Sequence, residues 1–202
     1  MGKTPIHFLV HSCPVCGWSG QEEQAEPVSP EIRRFVREKI TPTLGKGEIT
    51  PWRKWENFAL IREAGGSNGF ELGSDYLIAA QCARLGGRVD EEKTYRFKSI
   101  AHYRKALEEG DVPENSLYQV TYLVGELYRR VGDNWKSDDW FQKVLDMDLD
   151  HERREFFVSL ARQQMTEPRN FIDEEHEKDS LKKKPGLMSK LQMLLGVGEE
   201  RY

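Results

Sequence analysis

Hydrophobic positions follow a helical period over most of the chain. Ser29-Pro30-Glu31 predicts a helix start: a hydroxyl cap, a proline at the first helical position, then an acid at the positive end of the dipole. Ile32, Phe35, Val36 and Ile40 supply its apolar stripe. Thr50-Pro51 predicts a second start. Trp52, Trp55, Phe58, Ala59 and Ile61 fill that helix, and Gly65-Gly66 stops it. A third is predicted with Ser74 as its cap and Gly86-Gly87 as its end. Further helices are predicted over about 90–109, 114–131, 134–147 and 151–165. No strand-like run lies among them, so the body reads as all-α. Only the first residues differ: Ile6, Phe8 and Val10 alternate with His7, Leu9 and His11, a weak strand signal.

Two stretches share an order of small and large residues. From Tyr122 the chain reads Leu123, Gly125, Tyr128 and Gly132, then Ser137, Phe141, Val144 and Leu145. This order and spacing match the tetratricopeptide pattern, in which small positions let two antiparallel helices approach and aromatics fill the gap to the next pair. Ser137 and Val144 stand where alanine is usual. A looser copy lies upstream, with Tyr76, Ala80 and Gly87 on its first helix and Ser99, Tyr103 and Ala106 on its second. Residues 88–94 form an insertion between the halves. The fold class expected is therefore an all-α, tetratricopeptide-like array of helical hairpins, an α-α superhelix, with a short irregular N-terminal cysteine-knuckle arm.

The run from Tyr122 to Gly132, followed by Asp139-Trp140-Phe141, resembles the signature of an uncharacterised prokaryotic family, a domain of unknown function. Members combine N-terminal cysteine-pair knuckles of zinc-ribbon type with tetratricopeptide-like helices. Tyr76-Leu77 and Cys82-Ala83-Arg84 resemble its earlier helix. The resemblance covers about 13–165 and implies a fold but no activity. The family usually carries two cysteine pairs. Cys13-Pro14-Val15-Cys16-Gly17-Trp18 resembles the second, and the first has no counterpart here.

Three segments are expected: a degenerate zinc-ribbon-like arm over 1–28, a helical domain over 29–166, and an acidic linker with a short amphipathic C-terminal helix over 167–202. In the last, Leu187, Met188, Leu191, Leu194 and Leu195 share one helical face, suited to self-association or to docking on a partner. The 202 residues carry 30 basic and 34 acidic side chains, a net charge of −4. That balance argues against broad phosphate binding, so no nucleic-acid partner is expected. No run of about 20 apolar residues exists, and no signal peptide is evident. The protein is expected to be cytoplasmic and not an integral membrane protein.

Cys13 and Cys16 form half of a zinc site, since thiols two residues apart can both reach one metal. His7 and His11 are the candidates to complete it. No other cofactor is expected, and purified protein should carry well under one zinc per chain. The alternatives are a site shared between chains or completed by a partner, and a decayed knuckle kept for its turn. A redox pair would need the first cysteine at a helix N-terminus, and Gly17-Trp18-Ser19-Gly20 is not a helix start. Cys82 reads as a small core residue. No serine or cysteine has an identifiable histidine and acid partner, so the chain is not expected to be an enzyme.

The expected function is a non-catalytic scaffold that binds a peptide or protein, with an acidic partner favoured. In a tetratricopeptide array the first helix of each pair lines the concave face. Gln81 and Arg84 would line it from one pair, and Gln119, Tyr122, Glu126, Arg129 and Arg130 from the next. Amide and guanidinium groups there can hold an extended acidic peptide. Equally, Arg129 and Arg130 could simply pair with neighbouring acids. The alternative function is a metal-dependent regulator or nucleic-acid adaptor built on the cysteine knuckle.

Overall fold

A computed structural model describes residues 9–21, 28–148 and 152–168. It contains a two-stranded antiparallel hairpin, β1 (His11–Ser12) and β2 (Ser19–Gly20), in which His11 faces Gly20 and Ser12 faces Ser19. Seven α-helices follow: α1 (Pro30–Phe35), α2 (Pro51–Ala64), α3 (Gly69–Leu85), α4 (Val89–Glu109), α5 (Leu117–Val131), α6 (Asn134–Asp146) and α7 (Arg154–Thr166). The described residues are thus mostly helical. None of their helices is long and apolar enough to cross a membrane. The acidic linker beyond Pro168 and the apolar face from Leu187 to Leu195 lie outside the described residues, as do Ile6, His7 and Phe8.

Most helix ends follow the local chemistry. Ser29 Oγ accepts from the Ile32 N–H at 3.3 Å, ahead of Pro30. Helix α1 then runs into a π-helical turn, Val36–Ile40, and a 3-10 turn, Thr41–Thr43. Gly65 ends α2 and Gly86 ends α3. Gly110, at φ +76°, caps α4 in the left-handed region, and Asp111 N–H reaches Ala106 O at 2.9 Å. Two starts differ from expectation. Thr50 precedes α2 in an extended conformation, but its side chain caps nothing. Helix α3 begins five residues before Ser74. Its cap is Asn68, whose Oδ1 accepts from the Glu71 N–H at 2.9 Å. Ser74 lies inside the helix and donates to Phe70 O at 3.0 Å. The glycine-rich run 65–69 is therefore a tight, capped turn.

The chain divides into two compact units. Of the described residues, one unit comprises those up to Pro113 with Leu127–Asp133; the other comprises Glu114–Glu126 with those from Asn134 to Pro168. In the first unit, Trp55, Phe58, Ala59, Tyr76, Ala80, Cys82, Ala83 and Tyr95 pack together, with Val10 from the hairpin arm among them. Trp55 and Phe58 are core residues, as their spacing predicts. Cys82 is core too, and burial pushes its thiol up to about 12. In the second unit, Tyr122 packs on Phe141 and Phe157, with Tyr118, Val144 and Ala161 around them.

One packing device occurs in both units. A Cβ added at Gly73 of α3 would lie 2.5 Å from Tyr103 Cδ1 of α4. A Cβ added at Gly125 of α5 would lie 2.8 Å from Phe141 Cδ1 of α6. Each glycine thus admits an aromatic ring against bare helix backbone. Ser99 Oγ also donates to Gly73 O at 2.8 Å. The small position of the upstream pair is therefore Gly73. Gly87 follows α3 in a turn at φ +67°, with no neighbour where its Cβ would stand.

Candidate functional site

The Cys13–Cys16 turn is built from both ends. Cys13 N–H donates to Trp18 O at 2.8 Å, and Gly17 N–H donates to Cys13 O at 2.8 Å. Below the turn, the Ser12 and Ser19 hydroxyls share a hydrogen bond of 2.6 Å. Gly17 sits at φ +76°, and a side chain there would meet Ile40 Cγ2 at 2.8 Å, so glycine is required on both counts. The helical body grips the turn through its carbonyls. Thr41 Oγ1 donates to Cys16 O at 2.8 Å; Asn57 Nδ2, from α2, donates to Gly17 O at 3.2 Å, and Ser19 Oγ donates to the same oxygen at 3.1 Å.

With the carbonyls held inward, backbone N–H groups turn toward sulfur. Hydrogen bonds from the Cys16 and Val15 N–H groups, and from the Cys16 thiol, hold the Cys13 thiol below its ordinary value. Cys16 moves the other way, chiefly through burial, against a hydrogen bond from the Trp18 backbone. The turn thus stabilises one thiolate and keeps a second sulfur in contact with it. Both cysteines are half-buried, whereas Val15 between them is 80% exposed. Beside Cys16 opens a cavity of about 330 Å³, lined also by Trp18, Val28, Val36, Arg33 and Arg37. Arg33 Nε donates to Val28 O at 2.9 Å across its rim.

Among the described residues, no third histidine, cysteine or carboxylate joins the pair to hold a metal. His11 stands exposed on β1 and does not complete the site. His7, the other expected ligand, lies outside the described residues.

The expected groove residues are not a set of open side chains. Gln119, Tyr122 and Glu126 are 3%, 0% and 2% exposed. Tyr122 is a core ring, so it cannot line a groove that a peptide enters. Helix α5 is closed at every position from Tyr118 to Tyr128. Gln81, Arg84, Arg129 and Arg130 are half-buried and belong to the first unit, whereas the three closed residues belong to the second.

Sequence reasoning missed two buried acids. Glu56 Oε1 accepts from Lys98 Nζ at 2.7 Å, and Oε2 accepts from Tyr95 Oη at 2.9 Å and from Arg53. Burial acts to raise its carboxyl, but Lys98, Arg53 and Tyr95 together hold it below the ordinary carboxylate range. Lys98 Nζ also lies 5.1 Å from the Tyr76 ring centre. Asp75 pairs with Arg62 at 2.8 Å, and Arg62 reaches Glu71 at 2.7 Å. Here burial outweighs the guanidinium and pushes the carboxyl up to about 7. The only trace of either site in the sequence is an acid interrupting an apolar stripe, between Trp55 and Phe58 or beside Tyr76.

Residues 2–167 match the family described as an uncharacterised protein conserved in bacteria (DUF2225), and the chain belongs to that family. The match takes in both the knuckle and all seven helices. No curated protein and no solved structure matches the chain.

Proposed function

We propose that this member of the family is a non-catalytic interaction protein whose helical pairs form a tetratricopeptide-like array. The observation that carries this reading is the recurrence of one packing device. Within each helix, Gly73 with Tyr76 and Ser99 with Tyr103 and Ala106 repeat the spacing of Gly125 with Tyr128 and Ser137 with Phe141 and Val144; the upstream pair is longer between its two halves. In both cases the glycine receives the aromatic ring of the facing helix. Helices paired in this way suit extended binding surfaces.

The partner surface proposed is narrower than the sequence suggests. Gln81 and Arg84 of α3 keep part of their side chains in solvent. Among the described residues, Arg84 shows no ion pair or hydrogen bond from its side chain. A half-buried guanidinium without a partner suits a carboxylate supplied from outside, and an acidic peptide segment is the partner proposed. Photo-crosslinking residues introduced in cells at Gln81 and, as a control, at the exposed Trp135 of α6 test the reading. Specific adducts are expected at Gln81 and should be lost with Arg84→Glu while melting is unchanged. Equal adduct patterns at the two positions, or adducts indifferent to Arg84→Glu, would overturn it.

A further inference from the structure

The cavity beside the cysteine turn has two walls. Cys16 and Trp18 come from the hairpin arm. Val28, Arg33, Val36 and Arg37 come from α1, the residues just ahead of it and the π-helical turn that follows it. The walls are tied together by one side chain. Thr41 Oγ1 lies 2.8 Å from Cys16 O and 3.1 Å from Val36 O, so a single hydroxyl joins a lining residue of each wall. The Trp18 ring rests on Gly20, where any side chain would collide with it. The cavity is thus shaped by the protein's own contacts. Its volume of about 330 Å³ falls at the small end of the range for small-molecule sites.

Its lining is apolar apart from two cations. Trp18, Val28 and Val36 offer hydrocarbon surface, whereas Arg33 and Arg37, one helical turn apart, are both exposed. Arg33 Nε donates to Val28 O, which fixes the side chain and leaves Nη1 and Nη2 uncommitted among the described residues. Arg37 shows no ion pair or hydrogen bond from its side chain among them. Guanidinium groups so placed suit a carboxylate, and the apolar wall suits the hydrocarbon attached to it. Only these two lining residues are cationic, which matches a singly charged head and not a polyphosphate. We infer that this cavity binds a small monocarboxylic acid, its hydrocarbon body against Trp18, Val28 and Val36 and its carboxylate on Arg33 and Arg37. This inference stands apart from the proposed peptide surface, which lies on α3 and uses neither arginine.

Titration calorimetry of the full chain with octanoate and with phenylpropionate provides the test. Octanol, inorganic phosphate and a short peptide ending in leucine serve as comparisons. Saturable binding of at least one of the acids is expected, with octanol weaker by about tenfold or more. Arg37→Gln should weaken the acid by about tenfold with melting unchanged, whereas Arg34→Gln, outside the lining, should leave the affinity as it is. Val28→Trp fills the space, keeps both arginines and should abolish binding. Cys16 lines the cavity and Cys13 does not, so bound acid should slow alkylation of Cys16, followed by mass spectrometry, several-fold more than that of Cys13. The inference is overturned if neither acid saturates, if octanol or phosphate binds as tightly as the acids, or if binding is indifferent to Arg37→Gln or to Val28→Trp. Equal protection of the two cysteines would place the acid elsewhere and overturn it too. A peptide that binds more tightly than both free acids would do the same, because the cavity would then be a socket for a chain end.

Discussion

Replacing Gly73 by alanine sets two opposing effects against each other. Glycine inside a helix is worse than alanine by about 1 kcal/mol, so at an open position the change should stabilise. At Gly73 the new methyl would stand 2.5 Å from Tyr103 Cδ1 and 2.7 Å from Cε1. Ordinary carbon contacts begin near ~3.5 Å, so the ring must move by about 1 Å. Tyr103 has little freedom to do so. It is wholly buried, and its hydroxyl is held by Ser74 Oγ at 3.0 Å. Overpacking of this kind costs about 1–3 kcal/mol. Set against the gain of about 1 kcal/mol from helix propensity, the net expectation is a loss of up to about 2 kcal/mol. Gly125→Ala should show the same sign with a smaller loss, since its methyl would stand 2.8 Å from Phe141. With two compact units, one denaturation curve need not be a single transition. Hydrogen exchange of α3 and α4 amides should therefore accompany urea denaturation followed by circular dichroism. In a Tyr103→Leu background the ring is gone, and Gly73→Ala should become neutral or stabilising, a coupling of about 1–3 kcal/mol. If Gly73→Ala stabilises the natural protein by about 1 kcal/mol, or its effect is the same in both backgrounds, the close approach of α3 and α4 does not exist as described.

Two further substitutions probe the buried polar groups. Asp75 titrates at about 7 in the folded chain, above its ordinary 3.8, so the fold favours its protonated form. Its contribution is fully present below about pH 4 and is lost as pH rises toward 7. Asp75→Asn should flatten that fall when stability is measured from pH 4 to 7, and an unchanged slope would show that Asp75 is not its source. Asn57→Ala removes the α2 support of Gly17 O and should cost about 1 kcal/mol, because Ser19 still holds that oxygen. The knuckle should loosen, so alkylation of Cys13 and Cys16 should speed up several-fold, and unaltered rates would mean that the hairpin supports itself.

The all-helical class and most helix ends were legible because they depend on neighbours a few residues away. Pro30 and Pro51 preset the first helical turn, and Gly66, Gly87 and Gly132, all at positive φ, permit the turns that follow helices. The cysteine turn was legible for the same reason, since Gly17 alone can take the backbone angle that closes it. The start of α3 was not. Asn68 and Ser74 are both competent caps, and the choice falls to Asn68 because packing against Tyr103 and Ala106 needs Gly69 and Gly73 inside the helix. Gly73 itself was invisible as a contact, since its meaning lies in a ring 30 residues further along the chain. Burial of Gln119, Tyr122 and Glu126 was out of reach for a related reason. Helical periodicity marks the face of α5 that must be covered, but it cannot tell whether the opposite face is covered too. Local chemistry therefore determined which segments coil and where they stop. Which side chains meet, and which charges are taken out of water, depended on residues distant in sequence, and only the tertiary structure brings those together.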